Sequence, residues 1–183
     1  MSDDARIKST RVHTGRVINL DIDLVRYPNG TTGELEIIRH PGASAVVPFL
    51  SDPGGADPQV LLLKQYRYAA GGTLYEIPAG RLEPGELPEA CARRELLEET
   101  GCTATTMTPL TSMFTTPGFT DERIHLFLAT GITRGEARPE ADEFMELETI
   151  PLSKALGMIE RGEIQDAKTA LALLFAAGFR SGH

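Results

Sequence analysis

The sequence predicts a mixed α/β fold, a mixed sheet covered by helices. Strand-like and helix-like segments are interspersed at hairpin spacing rather than in regular βαβ alternation. One helix is clearly bounded, with Pro88 and Glu89 in its first turn and Gly101 just past its end. A chain of 183 residues suits one domain with a small extension, a size at which roughly 70% of the extended surface is buried.

Residues 11–27 and 34–39 cluster apolar residues around Asn19, Asp21 and the turn Pro28-Asn29-Gly30, and read as short antiparallel strands. A fuller strand, 43–50, ends at the turn signal Ser51-Asp52-Pro53-Gly54-Gly55. Strands at 60–66 and 74–77 precede the helix that starts at Pro88. Further strands fit 110–114 and 124–128; a polar loop, 131–140, then leads to a strand at 144–149. Two helices close the chain, one capped by Ser153 and the other by Asp166. We read residues 1–40 as an N-terminal antiparallel β-sheet region and 41–183 as the main domain.

Composition narrows the function. Residues of the AVILMFWYC set make up 41% and charged residues 24%, as in ordinary globular proteins. A net charge of -8 argues against a nucleic-acid or anionic-membrane partner. The only cysteines, Cys91 and Cys102, form no disulfide framework. The start Met-Ser-Asp-Asp-Ala-Arg is unlike a signal peptide, and the longest apolar run, 170–179, is too short to span a bilayer. A cytoplasmic, reduced protein is the expectation.

The chemistry concentrates in residues 80–102. On the expected helix, Glu95, Glu98 and Glu99 stand at i, i+3 and i+4, so their carboxylates share one face. Such crowding costs an isolated helix roughly 0.2–0.5 kcal/mol per like-charged pair. A cation reverses that cost. Hard oxygen ligands with room for water suit Mg²⁺ or Mn²⁺ bound together with substrate phosphates. The plainer alternative is a solvated acidic face paired with Arg93 and Arg94.

The spacing decides between them. Gly80, Glu86, Arg94, Glu95, Glu98, Glu99 and Gly101 match in register the Nudix box, Gly-x5-Glu-x7-Arg-Glu-φ-x-Glu-Glu-x-Gly-φ. The chain therefore resembles the Nudix hydrolases, with Cys102 in the last apolar position as a mild departure. That resemblance implies an α/β/α sandwich and divalent-metal hydrolysis of a nucleoside diphosphate linked to another moiety. It implies Glu95 and Glu99 as principal metal ligands, Glu98 assisting, and the backbone carbonyl of Ala79 as a further ligand. Glu86 and Arg94 resemble the pair that braces the loop against the helix.

Flanking motifs resemble the ADP-ribose pyrophosphatase branch: His40-Pro41-Gly42-Ala43, Lys64-Gln65-Tyr66-Arg67, Glu76-Ile77-Pro78-Ala79-Gly80 and Thr116-Pro117-Gly118-Phe119. Pro117 lies 16 residues past Gly101, the branch's spacing. The tail around Asp142-Glu143-Phe144 and Gly162-Glu163-Ile164 agrees. The reaction implied is ADP-ribose and water to AMP and ribose 5-phosphate. Arg67 either pairs with a surface carboxylate or, beside a metal site, meets the pyrophosphate. Glu76 is either an exposed edge residue or part of the substrate or metal site. Pro117 and Gly118 form a turn whose substrate role comes only from the resemblance. The general base resembles one supplied by a loop outside the box, where Glu143 fits the branch better than Glu140; Glu98 is the remaining candidate.

Two departures bear on substrate choice. There is no Trp, and the N-terminal region has only Tyr27 to stack on adenine. The Arg-Glu pair common before His-Pro-Gly-Ala reads here Leu35-Glu36. Base recognition then falls to aliphatic packing by Val17 and Ile18, or to Arg39. A pyrophosphatase for another nucleotide sugar, such as GDP-mannose, is the nearest rival, and a non-catalytic ADP-ribose sensor the next. Apolar residues in 1–40 (Val12, Val17, Ile18, Leu20, Ile22, Leu24) exceed what a small isolated sheet can bury, which together with the resemblance implies a homodimer.

Overall fold

The structure is a computed structural model and describes residues 5–135 and 145–179. Among these, the chain forms two compact units. The first comprises residues up to Gly42 together with Met113–Arg123. Its sheet has the antiparallel order β1 (Arg6–Thr14), β2 (Asn19–Arg26), β3 (Thr32–Arg39). The β2–β3 turn closes because Gly30 N donates to Tyr27 O and the Asn29 side chain accepts from Thr31 N, as turn chemistry predicts. The 113–123 segment joins through Ile38 N donating to Phe119 O at 2.8 Å. This contribution is invisible in the sequence division at residue 40.

The second unit holds two sheets. One has the order β7 (Ala79–Arg81), β4 (Ala43–Pro48), β9 (Arg123–Arg134), β8 (Cys102–Phe114), with β4 and β9 parallel. The other has the antiparallel order β10 (Met145–Pro151), β5 (Gln59–Arg67), β6 (Gly72–Glu76). Every residue of β4 is buried, the expected pattern for a central strand covered on both faces. Helix α1 (Pro88–Thr100) packs on β4 and β7. Its Ala92 and Leu96 meet Val46, Leu61, Cys102, Met107, Phe127 and Ala129 in one apolar cluster. Helices α2 (Leu152–Glu160) and α3 (Ala167–Phe179) pack together, with α3 also on β4 and β6. No helix among the described residues is long and apolar enough to cross a membrane.

Several boundaries differ from the sequence reading. β8 begins at Cys102, directly after α1, rather than at 110; its pairing next to β9 overrides the Thr-rich, weakly alternating pattern of 102–109. Gly131 belongs to β9 rather than to a loop. Ser153 does not cap α2. Pro151 occupies that position, and Ser153 N and Oγ both donate to Asp57, which approaches from the loop before β5. Asp166 does cap α3, accepting from Thr169 N at 3.0 Å.

Candidate active site

Local sequence sets the box geometry. Pro88 opens α1, and Gly101 closes it at φ 70°, donating to Leu97 O at 2.8 Å. A side chain is disfavoured in that left-handed conformation, so the glycine ends the helix where the box requires. Between these ends, Glu95 and Glu99 are buried, while the Glu98 side chain is 47% exposed.

Arg94 gathers the carboxylates. Its guanidinium donates twice to Glu86 (3.0 and 3.1 Å), to Glu95 at 2.6 Å, to Glu98 at 3.0 Å and to Arg81 O at 3.0 Å. Glu86 also accepts from Glu83 N, which ties the loop before α1 to the helix. The Arg94 guanidinium, aided by that N–H, pulls the Glu86 carboxyl down to about 2. Arg93 is spent elsewhere, on Glu89 and Ala104 O.

β7 supplies the floor. Ala79 pairs with Ala45 of β4, and its N–H donates to Glu99 Oε2 at 3.1 Å. Gly80 leaves room for the second carboxylate: a Cβ built there would lie 1.8 Å from Glu95 Oε1. Two buried carboxylates are therefore cradled against one short strand. Their donor set is hard oxygen, the right chemistry for a divalent cation that keeps waters and borrows substrate phosphates. Among the described residues, no three His, Cys, Asp or Glu side chains already converge as a protein-only cage. Cys91 is fully buried and its thiol is pushed up to about 11, chiefly by that burial, as expected of a packing residue. His40 and His125 bond to Gly42 N and Ser112 Oγ respectively.

A second charged cluster occupies the end of β5 and β6. Arg67 clasps Glu76 with two bonds, 2.7 and 2.9 Å, so Arg67 is paired, though not with a surface carboxylate: the Glu76 side chain is 1% exposed. Lys168 of α3 adds a third bond to Glu76 at 2.5 Å. These cations outweigh desolvation and hold the Glu76 carboxyl below its ordinary value. Arg67 is raised, mainly by Glu76, and Glu99 is among the smaller charges acting on it. Sequence reasoning missed Lys168, although a lone charge within Ala167–Phe179 was a usable signal.

Val17, Ile18, Arg39, Pro117 and Gly118 belong to the N-terminal unit. Val17 and Ile18 are exposed in the β1–β2 turn. Pro117 and Gly118 form a turn closed by Phe119 N donating to Thr116 O at 3.1 Å. Arg39 is heavily committed: Nε donates to Asp21 at 3.0 Å, Nη1 to Asp121 at 3.2 Å, and Nη2 to Asp23. Glu140 and Glu143 lie outside the described residues.

A carboxylate-bearing loop and helix packed on β4 and β7 of a mixed sheet define the class. Residues 40–173 match the NUDIX domain family, and the chain belongs to it as a Nudix hydrolase. Nudix hydrolases generally need a divalent metal. The chain is 42% identical over 175 residues, 94% of its length and 92% of the relative's, to an ADP-ribose pyrophosphatase of Bacillus subtilis (strain 168). It is 41% identical over equal shares to a methanol dehydrogenase activator of Bacillus methanolicus. A solved structure of an ADP compounds hydrolase superposes with a TM-score of 0.81 at 20% identity, covering 97% of this chain and 94% of that one, which shows the sandwich fold.

Proposed function

We propose that this protein hydrolyses the pyrophosphate of ADP-ribose, yielding AMP and ribose 5-phosphate, with Mg²⁺ as the working ion and Mn²⁺ as a substitute. The observation that carries the reading is the pair of buried carboxylates, Glu95 and Glu99, cradled against Ala79 and Gly80. Identity to an ADP-ribose pyrophosphatase along nearly the whole chain directs the substrate choice. Intact carboxylates speak against a non-catalytic sensor.

Glu95 and Glu99 would hold the ion, with Glu98 and the Ala79 carbonyl completing its protein contacts. When bound, it neutralises charge on the pyrophosphate oxygens and acidifies water. Arg67 grips the pyrophosphate by charge-assisted hydrogen bonds. A carboxylate takes the proton of the attacking water as one P–O bond forms and the bridging P–O bond breaks. Glu143 is assigned that role by resemblance, ahead of Glu140 and Glu98. Arg39, already on three carboxylates, organises its own unit, leaving Val17, Ile18 and the Pro117-Gly118 turn as the better candidates for the nucleoside side. A homodimer through the N-terminal sheet is supported by β1, exposed along its whole length with Ile7 and Val12 among its residues.

Product analysis in ¹⁸O-labelled water with Mg²⁺, on ADP-ribose and GDP-mannose side by side, tests the reading. We expect AMP and ribose 5-phosphate, one of them labelled, and a clear preference for ADP-ribose. A preference for GDP-mannose moves the protein to the rival substrate class, and no turnover of either overturns the enzyme reading. Glu143→Gln should lower kcat by roughly 10²–10⁴-fold, the usual worth of a general base. Removal of residues 1–35 should abolish activity, and a full-length chain that sediments as a fully active monomer at micromolar concentration would refute the dimer.

A further inference from the structure

The Arg67–Glu76 pair poses a physical problem for a residue meant to grip substrate. Its guanidinium is already satisfied by a carboxylate only 1% exposed. Pulling Arg67 away from Glu76 would strand a buried charge, which is strongly unfavourable unless another cation stays behind. Lys168 is that cation. Its Nζ lies 2.5 Å from Glu76 Oε2 and 2.9 Å from Asp166 Oδ2. The two cations are not equivalent: the Lys168 side chain is 14% exposed and Arg67 43%. The inner one is held by its helix, and the outer one faces solvent.

The first turn of α3 is built to hold Lys168 in place. Asp166 caps it, accepting from Thr169 N at 3.0 Å and from Thr169 Oγ1 at 2.6 Å. Thr169, itself fully buried, accepts in turn from Ile77 N at 2.9 Å, the residue next to Glu76. Helix and strand end are thus latched at two adjacent residues. We infer that Lys168 is a positioning residue that stays on Glu76 and so frees Arg67 to turn its guanidinium to the pyrophosphate of the substrate. The inference rests on the assignment of Arg67 to that pyrophosphate.

Steady-state kinetics on full-length enzyme, with ADP-ribose and Mg²⁺, test it. Without Lys168, Glu76 has Arg67 alone and competes harder with substrate for it. Lys168→Met should raise KM about tenfold with kcat within about threefold, the pattern of lost ground-state binding. Lys168→Arg should return KM to near the parent value. In a Glu76→Gln background the Lys168→Met change should leave KM where Glu76→Gln alone puts it. An unchanged KM in folded Lys168→Met, failure of Lys168→Arg to rescue, or an equal KM rise in the Glu76→Gln background overturns the inference. If Lys168→Met does not fold, Lys168→Gln takes its place, with the same expected KM rise and the same overturning results. Arg67→Lys separates the two layers. If its KM is unchanged, the Arg67 assignment falls and the inference with it. If its KM rises while Lys168→Met stays at the parent value, only the inference falls.

Discussion

Arg94 in α1 and Arg39 at the end of β3 each hold three carboxylates, yet the two clusters are assembled in opposite ways. The partners of Arg94 (Glu86, Glu95 and Glu98) come from one loop and one helix, none more than eight residues away in sequence. Those of Arg39 come from β2 and from Asp121, which lies 82 residues away. Two of the Arg94 carboxylates are also proposed to touch a metal, so the guanidinium holds them without consuming them. The Arg39 carboxylates instead hold more of their own unit, Asp21 also accepting from Arg11 Nε and Asp121 from His40 N. One cluster is the proposed metal site, the other a clasp between neighbouring strands and a distant turn.

Neutralising one carboxylate in each cluster should separate them most widely. Glu95→Gln should cut kcat at least about 100-fold, the upper end of what even an outer partner of a metal ligand is worth. Asp121→Asn should leave turnover of folded protein nearly intact. Initial rates normalised to folded protein decide the matter, and equal losses in both would erase the distinction.

Removing the arginines gives the next largest contrast. Arg94→Met should cost about 10–100-fold in turnover, because the carboxylates lose their orientation. Arg39→Met should instead lower the thermal midpoint and speed amide exchange in β2 and β3. A catalytic loss from Arg39→Met in fully folded protein would return Arg39 to the substrate site.

Glycines sharpen the same comparison at a smaller scale. Gly80→Ala drives a methyl into the Glu95 carboxylate, a movable side-chain end, so activity should fall about tenfold while the melting temperature barely changes. Gly118→Ala meets nothing within 4 Å and has no positive φ, so stability should not change. A large stability loss in Gly80→Ala would mean that the position serves packing rather than the carboxylate.

The smallest effect is a pH dependence. Glu86 titrates at about 2 when folded, against an ordinary 4.5. Its stabilising contribution is complete above pH 4.5 and is lost as pH falls toward 2. Glu86→Gln should flatten the acid limb of stability in that window, by little, since solvent still reaches this partly buried pair. Acid titration followed by circular dichroism reads this, and an unaltered acid limb would mean the pair adds no net stability.

The sequence by itself determined the box. Periodicity puts Glu95, Glu98 and Glu99 on one face, Pro88 and Gly101 set the helix ends, and Glu86 reaches Arg94 across a short loop. All of that is local geometry, legible at separations of a few residues. Tertiary structure alone decided which polar groups were buried and who met them. Strand β7 and its pairing with β4 could not be read from three residues containing a glycine, yet they fix the floor under Glu95 and Glu99. Asp57 meets Ser153 in the first turn of α2 across 96 residues. Lys168 found Glu76 across 92. Such partners follow from how sheets and helices stack, and no periodicity within either segment encodes them.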